Sequence, residues 1–324
     1  MPPGHWYNAL LEEVLLLPLV YPSYLNLLQG GSLKARAQEA LEILQKCSLC
    51  PRRCGVDRAR GEIGECCATR TVMVSSYNDH HGEEPPISGR RGSGTIFLTN
   101  CDLKCVYCQN YPISQLGHGN EVSESELARM MLSLQERGCH NINFVTPTHY
   151  TPQILSALAA AAEEGLRLPV VYNTSGYELV EVLRLLDGIV DVYMPDMRYA
   201  SDEMGLKYSN APGYATHNRD AVKEMHRQVG DLEIDDEGVA VKGLVIRLLV
   251  LPESISGTEE TLEFIAEEIS RESYISLMAQ YFPAHKASLH PPLDRRITRE
   301  EYARALRKMR ELRLTKGWAQ RLDW

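Results

Sequence analysis

Six times between residues 95 and 314 the chain passes from a short apolar run to an amphipathic stretch, and this alternation limits what it can fold into. The apolar runs at 95–99, 142–146, 170–173, 190–194, 244–251 and 274–280 have strand length and composition. The stretches at 123–137, 151–164, 177–186, 217–229, 258–270 and 298–314 carry helical spacing. Repeated βα units imply parallel strands joined by right-handed crossovers. The expected class is therefore α/β, with a six-stranded parallel sheet that is either doubly wound or a partial (β/α)₆ barrel. In either case ligands bind beyond the carboxyl ends of the strands. Polar and turn-forming residues gather at those ends: Thr146-Pro147-Thr148-His149, Asn173-Thr174-Ser175-Gly176, Met194-Pro195-Asp196 and Tyr281-Phe282-Pro283-Ala284-His285.

Directly after the first of these strands comes Cys101-Asp-Leu-Lys-Cys105-Val-Tyr-Cys108. The spacing also suits one face of a helix, where the cysteines would be small buried residues. Asn100 and Asp102 before and within the run, and Asn110-Tyr111-Pro112 after it, are turn chemistry and favour a loop. Three thiolates can hold three corners of a 4Fe–4S cubane and leave the fourth iron open to another ligand.

A second group, Cys47, Cys50, Cys54 and Cys66 with Cys67 adjacent, has the spacing of a closed four-thiolate site for zinc or a second 4Fe–4S cluster. Three ligands from one loop and a fourth from further on favour iron–sulfur over a zinc ribbon. Gly55, Gly61 and Gly64 allow the tight turns such a loop needs. Eight of the nine cysteines fall between Cys47 and Cys108, unlike a disulfide framework, and suit thiols kept reduced in a cytoplasm. Cys139 reads as an ordinary buried cysteine.

A net charge of −9 argues against a general nucleic-acid binder. No run reaches the length of a membrane span, so no membrane partner is expected. Residues 10–20 are apolar but carry Glu12 and Glu13 and lack a basic flank, which reads as a short buried or docking helix rather than a signal peptide. Residues 32–46 read as a helix with Ser32 as N-cap, and 78–94 as a polar connection. Arg247 stands inside the apolar run 244–251, where a guanidinium must be paired or face a polar cavity. An ion pair with Asp196 and a clamp on a bound carboxylate or ribose satisfy that rule equally.

The central cysteine motif, with an aromatic residue before its last cysteine, resembles the signature of the radical S-adenosylmethionine (SAM) superfamily. Glu83-Glu84-Pro85-Pro86-Ile87-Ser88-Gly89, Gly92-Ser93-Gly94-Thr95-Ile96-Phe97 and Gln109-Asn110 resemble the pyruvate formate-lyase activating enzyme-like proteins. Cys47-Ser-Leu-Cys50-Pro-Arg-Arg-Cys54-Gly and Asn143-Phe-Val-Thr-Pro-Thr-His149-Tyr are similar to a branch of that group with an N-terminal cysteine motif. The resemblance implies a partial barrel over 79–290, preceded by a helical segment at 1–46 and a cysteine-rich module at 47–78, and followed by a C-terminal helix at 291–324. It implies SAM chelated at the open iron of a cluster on Cys101, Cys105 and Cys108, and reductive cleavage to a 5′-deoxyadenosyl radical that abstracts hydrogen.

The resemblance also assigns SAM contacts. Tyr107 corresponds to an aromatic near the adenine. Thr146 and Thr148, with His149, stand where the superfamily has Gly-Gly-Glu, so this strand end departs from the pattern. Asn173, Thr174 and Asp196 correspond to strand ends beside SAM that hold a monovalent cation in activating enzymes, with Asn173 in place of an acid. His285 corresponds to a late histidine facing SAM. A one-electron donor of flavodoxin or ferredoxin type is the implied partner. The implied substrate is a protein loop, as in activation of a glycyl-radical enzyme. Radical modification of another peptide or a small molecule is the alternative reading. A non-catalytic electron-transfer or interaction module is the third, and the count of three central cysteines argues against it.

Overall fold

The computed structural model describes residues 21–322; the apolar run at 10–20 lies outside them. The six expected strands are β2 (Ser93–Leu98), β4 (Ile142–Val145), β5 (Val170–Thr174), β6 (Val192–Pro195), β8 (Ala240–Leu249) and β9 (Tyr274–Met278). They pair in parallel in that order. The sequence does not mark the other four: β1 (Val72–His80), β3 (Asn120–Val122), β7 (Glu233–Ile234) and β10 (Gly317–Ala319). β1 lies antiparallel to β2 and β3 antiparallel to β1. β10 adds a further parallel strand beside β9, and β7 pairs antiparallel with β8.

The strand order β10-β9-β8-β6-β5-β4-β2-β1-β3 never reverses along its parallel part. A doubly wound sheet requires a reversal, so the arrangement is the singly wound, partial-barrel alternative. Among the described residues its two edges, β3 and β10, do not pair with each other.

Period-two alternation sorts the strand side chains into two cores. Ile96, Phe144, Tyr172, Tyr193, Ile246, Ile275 and Leu277 join the main core with Leu127 and Leu158 of the crossover helices. Val171, Val192, Met194 and Val245 face the other way and pack on Ile87. Ile87 belongs to the short helix Pro85–Ser88, so the segment expected to be only a polar connection plugs the barrel interior. Its proline-rich start fixes φ without needing an amide donor.

The expected helices are present, several shorter than their periodicity. Helix Glu124–Glu136 starts with a capping box from Ser123 and Glu126, and Arg299–Glu311 with one from Thr298 and Glu301. Helix Ser32–Glu42 buries Leu33, Ala37 and Ala40 and packs on helix Thr151–Glu163. Its N-cap is Gly31 in the left-handed region, not Ser32, whose hydroxyl donates to the Leu27 carbonyl.

Candidate active site

The central cysteines lie on an irregular loop after β2, which removes the helical-face alternative. The loop is clamped by amides of Lys104 and Val106 donating to the Ser209 and Tyr208 carbonyls, and by the Lys286 amide donating to the Val106 carbonyl. None of the three thiols is in a disulfide. Each accepts or shares its own hydrogen bond: the Leu103 amide donates to Cys101 Sγ at 3.3 Å, Ser209 Oγ to Cys105 Sγ at 2.9 Å, and Ser114 Oγ shares a proton with Cys108 Sγ at 3.1 Å. Burial pushes the thiols of Cys101 and Cys105 up.

Two adjoining hollows open beside the loop at the carboxyl ends of the strands. One is lined by Tyr107, Cys108, Leu249 and Met278, the other by Glu83, Phe97, Thr146, Asn173 and Thr174; Asn110, Asp196, Arg198, Arg247 and Gln280 border both. The shared wall is a charged network. Arg247 Nε donates to Asp196 Oδ1 at 2.8 Å and its NH2 group to Asn173 Oδ1 at 2.7 Å. Arg198 donates to Asp196 Oδ2 at 2.5 Å. Glu83 Oε2 lies 3.8 Å from Arg247, and Glu83 Oε1 accepts from Asn143 at 3.1 Å. Burial raises the Glu83 carboxyl to about 7, against the opposing pull of Arg247. Both Asp196 oxygens are held by guanidinium groups, so this carboxylate has no charge to spare for a monovalent cation.

Gly176 fixes the geometry where β5 meets β6. Its φ is +72°, and a Cβ there would stand 2.1 Å from Asn218 Nδ2 and 2.5 Å from the Asp196 carbonyl oxygen. Asn218 bridges the same two backbone positions, donating to the Gly176 and Asp196 carbonyls.

Of the residues expected to touch SAM, Tyr107, Thr146, Asn173, Thr174, Asp196 and Arg247 line the hollows. Tyr107 is nearly buried, and its hydroxyl shares a 2.7 Å hydrogen bond with Tyr199, which bonds Ser209 in turn. Thr146 has φ of +60°. Thr148 lines neither hollow; its hydroxyl donates to Glu178 Oε1 at 2.7 Å, as does that of Thr174 at 2.5 Å. His149 is buried away from the mouth, held by the Thr99 carbonyl at 2.8 Å and neutral, with burial lowering its pKa to about 3. His285 borders neither hollow and stacks on Tyr111 at 4.7 Å.

Sequence reasoning gave no role to Glu83, Arg198 or Glu178. Glu83 stood in a motif without an assigned function. Arg198 follows Asp196 by two residues, and Glu178 follows Thr174 by four, so both could have been read from their strand ends. Burial raises the Glu178 carboxyl to about 8, with Asp102 adding to the effect.

The N-terminal cysteines form a second group. The Cys47 amide donates to the Val56 carbonyl and the Gly55 amide to the Cys47 carbonyl, closing the loop on itself. Cys47, Cys50 and Cys66 are buried, while Cys54 and Cys67 are exposed. A Cβ on Gly64 would stand 2.6 Å from Cys54 Sγ, so glycine lets the Cys66 turn approach the loop. Arg52 ties this group to the central loop, donating to the Asp102 carbonyl at 2.6 Å and to the Asn210 carbonyl at 2.5 Å.

In the side-chain positions of the described residues, no three His, Cys, Asp or Glu converge as a ready-made metal site. The donor set nevertheless suits a 4Fe–4S cluster. It offers three unpaired thiols with N–H or O–H donors at the sulfurs, and the buried Arg198 Nε without a partner at the mouth. Thiols become thiolates on binding a cationic centre.

The Radical SAM superfamily profile matches residues 95–265, more than half of the chain. The chain is 31% identical over 290 residues to the uncharacterized protein MJ0674 of Methanocaldococcus jannaschii, covering 87% of this chain and 79% of that protein. The chain belongs to the radical SAM superfamily, whose chemistry is cleavage of SAM at an iron–sulfur cluster. Among solved structures it is similar to a radical SAM methyltransferase from Sphaerobacter thermophilus, with 14% identity and a TM-score of 0.48, over 70% of this chain and 66% of that one. It is also similar to Streptococcus suis SuiB bound to the precursor peptide SuiA, with 13% identity and a TM-score of 0.45, over 69% of this chain and 47% of that one. No described helix is long and apolar enough to cross a membrane.

Proposed function

We propose that this radical SAM enzyme acts on a protein substrate, most simply a glycine on a flexible loop of a partner enzyme, in the manner of the pyruvate formate-lyase activating enzyme-like proteins. Cys101, Cys105 and Cys108 would hold the 4Fe–4S cluster. When bound, that cluster supplies the electron that cleaves SAM and so provides the hydrogen-abstracting radical. The observation that carries the reading is the juxtaposition of a three-thiol loop with a charged cleft at the strand ends. Arg247 and Arg198 present cationic N–H groups to a SAM carboxylate, and Asn173 and Thr146 offer polar groups beside them. Tyr107, Leu249 and Met278 give an apolar wall for the adenine. Thr148, Thr174 and Glu178 brace the strand ends from behind. Domain limits near residues 46, 78 and 290 and a flavodoxin- or ferredoxin-type donor in the cytoplasm belong to this proposal.

The open sheet between β3 and β10 supports a macromolecular substrate, because a loop can enter from the side. A small molecule modified in the same cleft is the competing outcome. The test is anaerobic incubation of reduced protein and SAM with glycyl-radical proteins of the same genome. A glycyl doublet by EPR is expected. A genome without any such protein, or no doublet with all of them, removes this substrate and leaves another peptide or a small molecule.

The N-terminal cysteines, Cys47, Cys50, Cys54 and Cys66, are assigned a second metal centre of structural character, an iron–sulfur cluster in preference to zinc. Their loop closure and their link through Arg52 to the central loop support it.

A further inference from the structure

Arg58 is an uncompensated charge in the interior. It is 0% exposed. One guanidinium nitrogen donates to the His149 carbonyl at 2.7 Å and the other to the Thr69 carbonyl at 2.6 Å, while Nε has no partner. The group also lies 5.8 Å from the centre of the Tyr150 ring. No Asp or Glu among the described residues pairs with it; the ion pairs of the N-terminal region belong to Lys34, Arg52, Arg53, Arg60 and Arg70. Two neutral carbonyls and an aromatic face do not balance a buried cation, and an unpaired one is strongly destabilising.

Arg58 is tied by hydrogen bonds to the turns that carry Cys47 and Cys66: the Cys47 amide donates to the Val56 carbonyl, two residues before Arg58, and Arg58 itself donates to the Thr69 carbonyl, three residues after Cys66. Both cysteines belong to the four-cysteine group. Four thiolates on zinc or on a 4Fe–4S cluster carry net negative charge.

We infer that Arg58 is the built-in counter-charge of an anionic metal–thiolate centre formed by Cys47, Cys50, Cys54 and Cys66. The inference rests on the second-centre reading above and adds a positioning residue outside the ligand set. Its cation is unpaired in the metal-free chain and paired in the loaded one. Metal binding and burial of Arg58 are thereby coupled: the charge holds the metal, and the metal makes the charge tolerable.

The test uses the full chain carrying Cys101→Ala, Cys105→Ala and Cys108→Ala, so that any bound metal reports on the N-terminal group. Bound zinc or iron is measured anaerobically, and then the rate of its transfer to the chelator 4-(2-pyridylazo)resorcinol. Arg58→Gln keeps a hydrogen-bond donor without charge, and Arg58→Lys keeps the charge. Release at least tenfold faster from the Gln variant, with the Lys variant within about threefold of its parent, is the expected result, since charged-group contacts of this kind are worth about a factor of ten or more. Equal release from the Gln and Lys variants, whether fast or as slow as the parent, shows that charge is not what holds the metal and overturns the proposal. If the Gln variant does not fold, Arg58→Lys still decides: release more than tenfold faster from it contradicts a role carried by charge. A parent chain that binds no metal overturns the second centre itself, an outcome distinct from metal held equally in all variants.

Discussion

Arg247 donates from Nε to Asp196 Oδ1 at 2.8 Å, while its terminal nitrogens reach Asn173 at 2.7 Å and Glu83 at 3.8 Å. One cation thus holds together the ends of β5 and β6 and the segment that plugs the barrel. Its removal leaves Asp196 with Arg198 alone and Glu83 with amide donors but no cation, so Arg247→Ala should destabilise the fold by about 3 kcal/mol, read by urea denaturation. Asn173→Ala should leave stability closer to the parent. Both should weaken SAM binding about tenfold or more, the worth of a hydrogen bond to a charged group, with the cluster absorbance intact. Unchanged SAM affinity in both contradicts the placement of SAM in this cleft.

Glu83 makes stability depend on pH. Burial raises its carboxyl from 4.5 to about 7, so the folded chain binds this proton more tightly than the unfolded one. The contribution is complete below the ordinary value of 4.5 and is lost as pH rises through about 7. Between those limits it lowers stability by at most about 1.4 kcal/mol per pH unit. Glu83→Gln in the SAM-free protein should flatten the fall over this window. Identical slopes for parent and variant would show that Glu83 titrates normally.

The N-terminal cysteines should bind metal without the central ones. Protein lacking Cys101, Cys105 and Cys108 should contain about four irons per chain as a cluster, or about one if the metal is zinc. Zinc would reverse the preference for iron–sulfur. Neither metal would reject the centre.

Gly176→Ala places a methyl group 2.1 Å from Asn218 Nδ2 and 2.5 Å from the Asp196 carbonyl, at a φ of +72°. Strain and lost hydrogen bonds should cost about 2 kcal/mol or more. The same shift moves Asp196, so SAM affinity should fall with stability. A variant as stable as the parent would show that the strand end relaxes freely.

Much of this fold was legible because the six parallel strands are buried on both faces and read as apolar runs. The edges were not. β10 is three residues long, too short for any period, and β1 ends in Asn78, Asp79 and His80, which read as loop. The barrel plug was hidden for another reason. Glu83-Glu84-Pro85-Pro86 has the composition of a connection, and only tertiary packing of Ile87 makes it core. In the site, Arg247 was legible as a charge in an apolar strand, and its Asp196 partner was one of two expected outcomes. Glu83 was not, because its partner Arg247 is far away in sequence. Thr148 and Thr174 read as mouth residues, yet both hydroxyls turn to Glu178; its spacing of four residues from Thr174 places it near the strand end but does not signal that it is buried.

The central claim is that the loop of Cys101, Cys105 and Cys108 holds a cluster that cleaves SAM. Anaerobically reconstituted protein, reduced with dithionite in the presence of SAM, should release 5′-deoxyadenosine and methionine, measured by chromatography. Replacing any one of the three cysteines by Ala should reduce 5′-deoxyadenosine to the level without protein. Release that persists with all three replaced would contradict the account.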